Sequence, residues 1–172
     1  MTISDLALLM LGLTVGLTFA AHGAQKAFGW WGGPGLGGWQ AAMDHMGFRP
    51  ARLFAVVSML AELAGGLGLA VGFLTPVAAA ILVAQSTVII LHVHLPKGFW
   101  SAKGGFEFAL QLGVGALVLG LLGRGATSVD GALGLAFSST ARIELLLAGL
   151  LAGLASIAIS RLASSPAGHP AH

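Results

Sequence analysis

Cysteine is absent from the 172 residues, which excludes disulfides, thiolate metal sites, iron–sulfur ligation and any thiol relay carried by this chain. Charge is scarce as well. Charged residues make up 8% of the chain against 56% hydrophobic, far from the balance of a water-soluble domain. The net charge of +2 rests on few side chains, set mostly between apolar runs, and gives no support to nucleic acid binding. The first apolar run follows Met1-Thr2-Ile3-Ser4-Asp5, which has no Lys or Arg. The basic start of a cleaved signal peptide is therefore missing, and the run is expected to be retained as a helix.

Long apolar runs are what the chain does have. A helix needs roughly 20 mostly apolar residues to cross about 30 Å of hydrocarbon, and five stretches qualify, at about 3–25, 53–73, 77–95, 105–123 and 143–160. The last is the shortest. The sequence predicts an all-α integral membrane helical bundle over residues 1–162, embedded in the lipid bilayer, with a disordered tail at 163–172. Glycine, at 27 residues, weakens helices in water but lets them approach closely in lipid. Gly12 and Gly16, Gly68 and Gly72, and Gly149 and Gly153 have the small-xxx-small spacing of tight helix contacts. Chance spacing in a glycine-rich chain explains such pairs equally well.

Threading alternating spans places the N-terminus, the Thr75–Pro76 turn and residues 124–142 on one face. The other face receives His22, Gln25 and Lys26 from the first helix, His92, His94 and Lys97 from the third, and Lys103 and Glu107 from the start of the fourth. His22 and Lys26 share a helix face, whereas His92 and His94 point apart, so at most one of the two should turn inward. Each of the end residues has a bland alternative, snorkelling to the headgroups. Glu62 does not, because at about 1.5 Å per residue it lies some 13 Å below the polar face. A charge there costs about 3 kcal/mol or more, so Glu62 should be protonated, paired or facing a cavity. Its apolar helix neighbours disfavour the charged form unless a cation reaches it. Gln85, Ser86 and Gln111 lie at similar depth and suggest a polar shaft. Function rather than folding is expected to depend on Glu62. A metal site is argued against by the absence of any HxxxH or HxxE pair.

Between the first two helices Trp30, Trp31 and Trp39 stand among glycines, with Trp100 on the same face. The order is not that of a phosphate-binding loop. Trp at this density suits the membrane–water boundary. Residues 38–47 are expected to form an interfacial helix with Trp39, Met43 and Met46 on one side, and the loop to cover the shaft.

Three segments carry a family resemblance: HGAQKAFGWWGGPGLGG, ELAGGLGLAVGFLTP and HVHLPKGFWSAKGGFEF. In this order, over about residues 6–123, they resemble the DoxX family of membrane proteins. The resemblance implies a four-helix core, to which the fifth, C-terminal segment is an addition. It marks His22, Gly23, Gln25, Lys26, Gly29, Glu62, Gly65, Gly66, His92, Gly98, Phe99, Gly104, Gly105 and Glu107 as family-patterned positions. It thereby implies that His92, rather than His94, is the one that turns inward. It also implies a multi-pass protein of the bacterial plasma membrane, linked to quinone or redox-stress oxidoreductases by similarity to a thiosulfate:quinone oxidoreductase small subunit.

Two classes of function stay open. In the first, an oxidoreductase component holds a quinone headgroup, with His22, Lys26, Glu62, His92 and Glu107 as catalytic candidates and Gln25, Trp30, Trp31, Lys97, Trp100 and Lys103 as ligand contacts. No residue here carries electrons, so a cofactor or a redox partner subunit would supply them. In the second, a non-catalytic scaffold binds a lipid or another small molecule, with Lys26, Lys97 and Lys103 suited to anionic headgroups. Homo-oligomerisation stays open in both. A small-solute pathway follows from Glu62 alone, but five helices without discontinuous repeats argue against a secondary transporter.

Overall fold

The structure is a computed structural model that describes residues 1–164. Helix α1 (Ile3–Phe28) starts from a capping box, Thr2 Oγ1 accepting from the Asp5 N–H and Asp5 Oδ2 from the Thr2 N–H, and stops at Gly29, whose φ of 72° favours glycine. The short α2 (Gly35–His45) leads to α3 (Ala51–Val71), which ends at Gly72 with φ 68°. Helix α4 (Thr75–Val88) has Pro76 in its first turn and continues as a π-helical stretch, Ile89–His94. After a looped rim come α5 (Glu107–Leu122), the short α6 (Val129–Ala132) and α7 (Ser139–Ser164).

Among the described residues, four helices are long and apolar enough to cross a membrane: α1, α3, α4 with its continuation to Lys97, and α7. The shortest apolar helix is α5, with 16 residues, and not the C-terminal one. Two local causes produce the difference. The Phe106 and Glu107 N–H groups bond back to the carbonyls of Gly98 and Phe99, which delays the start of α5. Ser138 Oγ accepts from the Ala141 N–H and caps α7 several residues upstream of the expected start. Of the tail expected at 163–172, Ala163 and Ser164 still belong to α7, and the rest lies outside the described residues.

The core joins Val15 and Phe19 of α1, Leu69 of α3, Ala79 and Leu82 of α4, Leu112, Ala116 and Leu119 of α5, and Leu146 of α7. Leu13, Leu17, Leu60, Leu67, Leu121, Leu151 and Leu154 point outward and are exposed. Apolar side chains displayed on this scale match a lipid surround rather than water.

Glycine sets the helix separations. A Cβ on Gly16 would stand 2.5 Å from the Ala70 backbone nitrogen, and one on Gly66 would stand 2.5 Å from that of Ala20, so α1 and α3 touch backbone to backbone. Gly149 and Gly153 do the same for α7 against the Ala80 and Ala84 carbonyls of α4. The expected pairs therefore divide. Gly16, Gly149 and Gly153 pack helices within one chain, Gly12 leaves room for the guanidinium of Arg124, and Gly72 ends a helix.

The end of the bundle that holds the N-terminus and the Thr75–Pro76 turn is polar and closed. Arg124 is 2% exposed and donates from Nη2 to the Ala70 carbonyl at 3.2 Å. Asp130 accepts from the N–H groups of Leu74 (2.7 Å) and Thr75 (2.8 Å) and from Thr75 Oγ1 (2.6 Å), satisfying the free donors at the start of α4. The segment after α5 thus folds back and plugs this end.

Gly66→Val should force α1 and α3 apart and lower the melting temperature in detergent by about 3–10 °C, from an overpacking cost of about 1–3 kcal/mol. Gly37→Ala, at a helical position with nothing within 4 Å of the added carbon, should leave it unchanged or slightly raised. Equal melting temperatures for Gly66→Val and wild type would show that this backbone contact is not limiting.

Candidate intramembrane binding site

At the opposite end lies a cavity of about 520 Å³, bordered by α1, α2, α3, the end of α4 and the start of α5. Most of its wall is apolar, including Phe19, Ile89, Phe108 and Leu112, and His22, Lys26, Glu62 and His94 also line it. A volume of this size with few convergent polar groups is typical of small-molecule sites.

Glu62 is 1% exposed, and a cation does reach it. Lys26 Nζ donates to Glu62 Oε1 at 2.5 Å, joining the end of α1 to the middle of α3. The same oxygen accepts from Gln85 Nε2 of α4 at 3.1 Å. Gln85 Nε2 also lies 3.2 Å from Ser58 Oγ, which accepts from Trp39 Nε1 at 3.2 Å as well. The Trp39 ring in turn carries the Lys26 ammonium 4.2 Å from its centroid. Lys26, Glu62, Gln85, Ser58 and Trp39 therefore close a loop of contacts through four helices.

Of the expected site residues, His22, Lys26 and Glu62 border the cavity. Gln25 sits one layer back, its Oε1 accepting from His22 Nδ1 at 3.2 Å. The histidine at the end of α4 that turns inward is His94, whose Nδ1 donates to the Gly104 carbonyl at 2.6 Å. His92 faces the corner between α2 and α3, donating from Nε2 to the Met46 carbonyl at 2.9 Å against the Phe48 ring at 4.6 Å. Both histidines lie in the π-helical stretch, whose wider turn moves each side chain away from the direction that regular α-helical spacing would give it. Glu107 is occupied by the Ser101 N–H at 3.0 Å.

Trp30 and Trp31 are exposed and meet edge to face, and Trp30 also lies against Phe28. Trp100 stacks on Phe99 and is exposed, as are Lys97 and Lys103. None of these five borders the cavity, so the rim surrounds the site without forming it. The cover is α2 rather than the glycine loop: Trp39, Ala42 and Met46 line the cavity, and Met43 packs into a second core with Phe48, Ala51 and Ala55. Gln111 is exposed and joins no shaft.

Removing one partner of a buried ion pair leaves an uncompensated charge and costs about 3–5 kcal/mol. Lys26→Met and Glu62→Leu should each lower the melting temperature, and the double variant should recover most of the loss. Glu62→Leu is thus not expected to be silent, since it strands the ammonium. Additive losses in the double variant would mean that the two residues act independently.

A family model described as DoxX matches residues 7–95. No curated protein and no solved structure matches the chain. The matched segment exceeds half of the chain and runs from α1 to the end of the π-helical stretch. It carries Lys26, Trp39, Ser58, Glu62 and Gln85, the complete loop of contacts behind the cavity. With its apolar helices and this match, the chain is a multi-pass membrane protein that belongs to the DoxX family.

Proposed function

We propose that the protein binds an amphiphile of the quinone class within the membrane and serves as a membrane component of a quinone-linked redox system in the bacterial plasma membrane. The observation that carries this reading is the cavity itself, apolar over most of its wall with the Lys26–Glu62 pair, His22 and His94 among its lining residues. Such a wall accepts a ring and the start of a tail, while the polar groups orient a head group. The free N–H groups of Lys26 suit a carbonyl oxygen, and imidazole and carboxylate side chains are chemically adequate to exchange protons with a bound head. Electrons would come from a partner subunit or its cofactor. A through-membrane solute pathway finds no support, because Arg124 and Asp130 fill the far end.

A second reading, a non-catalytic lipid-binding scaffold, is favoured by exposed Lys97 and Lys103 beside Trp100 on the same rim, a pattern suited to anionic headgroups. One experiment separates the two. Protein purified in mild detergent should release a quinone into organic solvent. A decyl-tailed benzoquinone at about a hundred times its Kd should raise the melting temperature by about 5–10 °C. The Lys26→Met/Glu62→Leu double variant should show little of that rise. Phospholipid alone in the extract, with no thermal response to the quinone, would favour the scaffold and sink the quinone reading.

A further inference from the structure

The residues that line the cavity hold acceptors to which the chain itself supplies no donor. Glu62 Oε1 receives Lys26 and Gln85, but Oε2 is buried and has no hydrogen-bond partner among the described residues. A carboxylate oxygen in an ion pair accepts and does not donate. His22 and His94 each spend the proton of Nδ1 on an oxygen, of Gln25 and of Gly104, so that in the neutral rings both Nε2 atoms are left as acceptors. The donors nearby are the remaining N–H groups of Lys26, whose ammonium also lies on the Trp39 ring, and the hydroxyl of Ser86, likewise buried with no partner among the described residues.

Resting on the reading above, we propose that the preferred occupant is a hydrogen-bond donor: an amphiphile with a phenolic or hydroquinone head whose hydroxyl donates to Glu62 Oε2. A carbonyl head sets its lone pairs against that oxygen and leaves it unpartnered, which is the more expensive arrangement in a buried site. A hydroxyl head satisfies the carboxylate and still accepts from Lys26. For a carrier with two redox forms, the site therefore selects the reduced one. Sites built around a hydroxyl discriminate strongly against analogues that lack it.

The test uses the full chain in detergent at about pH 8. Trp39 fluorescence is read in a form carrying Trp30→Phe, Trp31→Phe and Trp100→Phe, none of which borders the cavity. The probes are para-nonylphenol, its methyl ether and a decyl-tailed benzoquinone. The phenol should bind at least about tenfold tighter than the ether and tighter than the quinone. Glu62→Gln, which can turn an N–H₂ group toward the head, should reduce that ratio to about twofold or less, a change that loss of packing alone would not produce. The wild-type comparison decides the question even if the variant does not fold. Equal affinity for phenol and ether overturns the donor proposal while leaving the amphiphile reading intact, as when an ordered water already satisfies Oε2. Binding of none of the probes overturns both. Tight phenol binding with no quinone in the organic extract supports the donor head and removes the redox reading.

Discussion

A carboxylate near the middle of a membrane helix demands a partner, and in this protein the demand is met by a lysine from another helix. The meeting of Lys26 and Glu62 constrains α1 and α3 to a separation that ordinary side chains would not allow. Gly23 lies one turn before Lys26, and a Cβ there would stand 2.5 Å from the backbone nitrogen of Leu63, the neighbour of Glu62. Gly16 and Gly66 continue the same contact toward the other end of the bundle. The glycine seam and the ion pair are one joint. The seam brings the backbones close enough for the ammonium to reach, and the pair provides a specific reason for that register.

The two ends of the bundle use buried polarity differently. At the far end, Arg124 and Asp130 reach backbone groups of α3 and α4 and turn chain ends into a closed plug. Those contacts are spent inside the protein. At the cavity end the polar groups are only partly committed. Glu62 offers one oxygen to Lys26 and Gln85 and keeps the other, and the imidazoles of His22 and His94 are pinned at one nitrogen each. Buried polar groups that lack partners are costly. Among the described residues they occur at both ends, as Arg124 Nε and Nη1 at the far end and as Glu62 Oε2 and Ser86 Oγ at the other, and of these only Glu62 and Ser86 line a cavity that a ligand could fill.

Which parts of this arrangement the sequence reveals depends on the reach of each signal. Glu62 stands out because hydropathy measures depth along a helix directly. Its partner does not, since Lys26 at a helix end looks like any lysine that snorkels to a headgroup. Gln85 is legible as a polar residue at the same depth, whereas Gln111 has the same signature and faces outward, because depth says nothing about rotation around the helix axis. His92 and His94 show the same limit in sharper form: their opposition is legible, but the choice between them turns on a π-helical turn that leaves no trace in residue spacing. Arg124 and Asp130 carry no periodic signal at all. They lie in a connecting segment, and whether such a segment folds back depends on contacts such as the Gly12 notch that exist only in three dimensions.

The C-terminal helix shows how a segment beyond the family match still bears on the site. Helix α7 packs on α4 through Gly149 and Gly153, and Ser160 Oγ near its other end donates to the Gly47 carbonyl at 3.1 Å. Gly47 sits between Met46, whose carbonyl holds His92, and Phe48, on which the His92 ring rests. The tail helix therefore braces the corner that fixes His92. Fixing His92 determines the rotation of the π-helical stretch, because two residues further on the side chain must point the other way. The inward placement of His94 is thus supported from behind by contacts that do not touch the cavity. The front, where Phe108 of α5 meets His22 of α1 edge to face at 5.9 Å and is itself exposed, has no comparable brace. A cavity rigid at its polar back and lightly closed toward the lipid is suited to an occupant that arrives from the bilayer with its head leading.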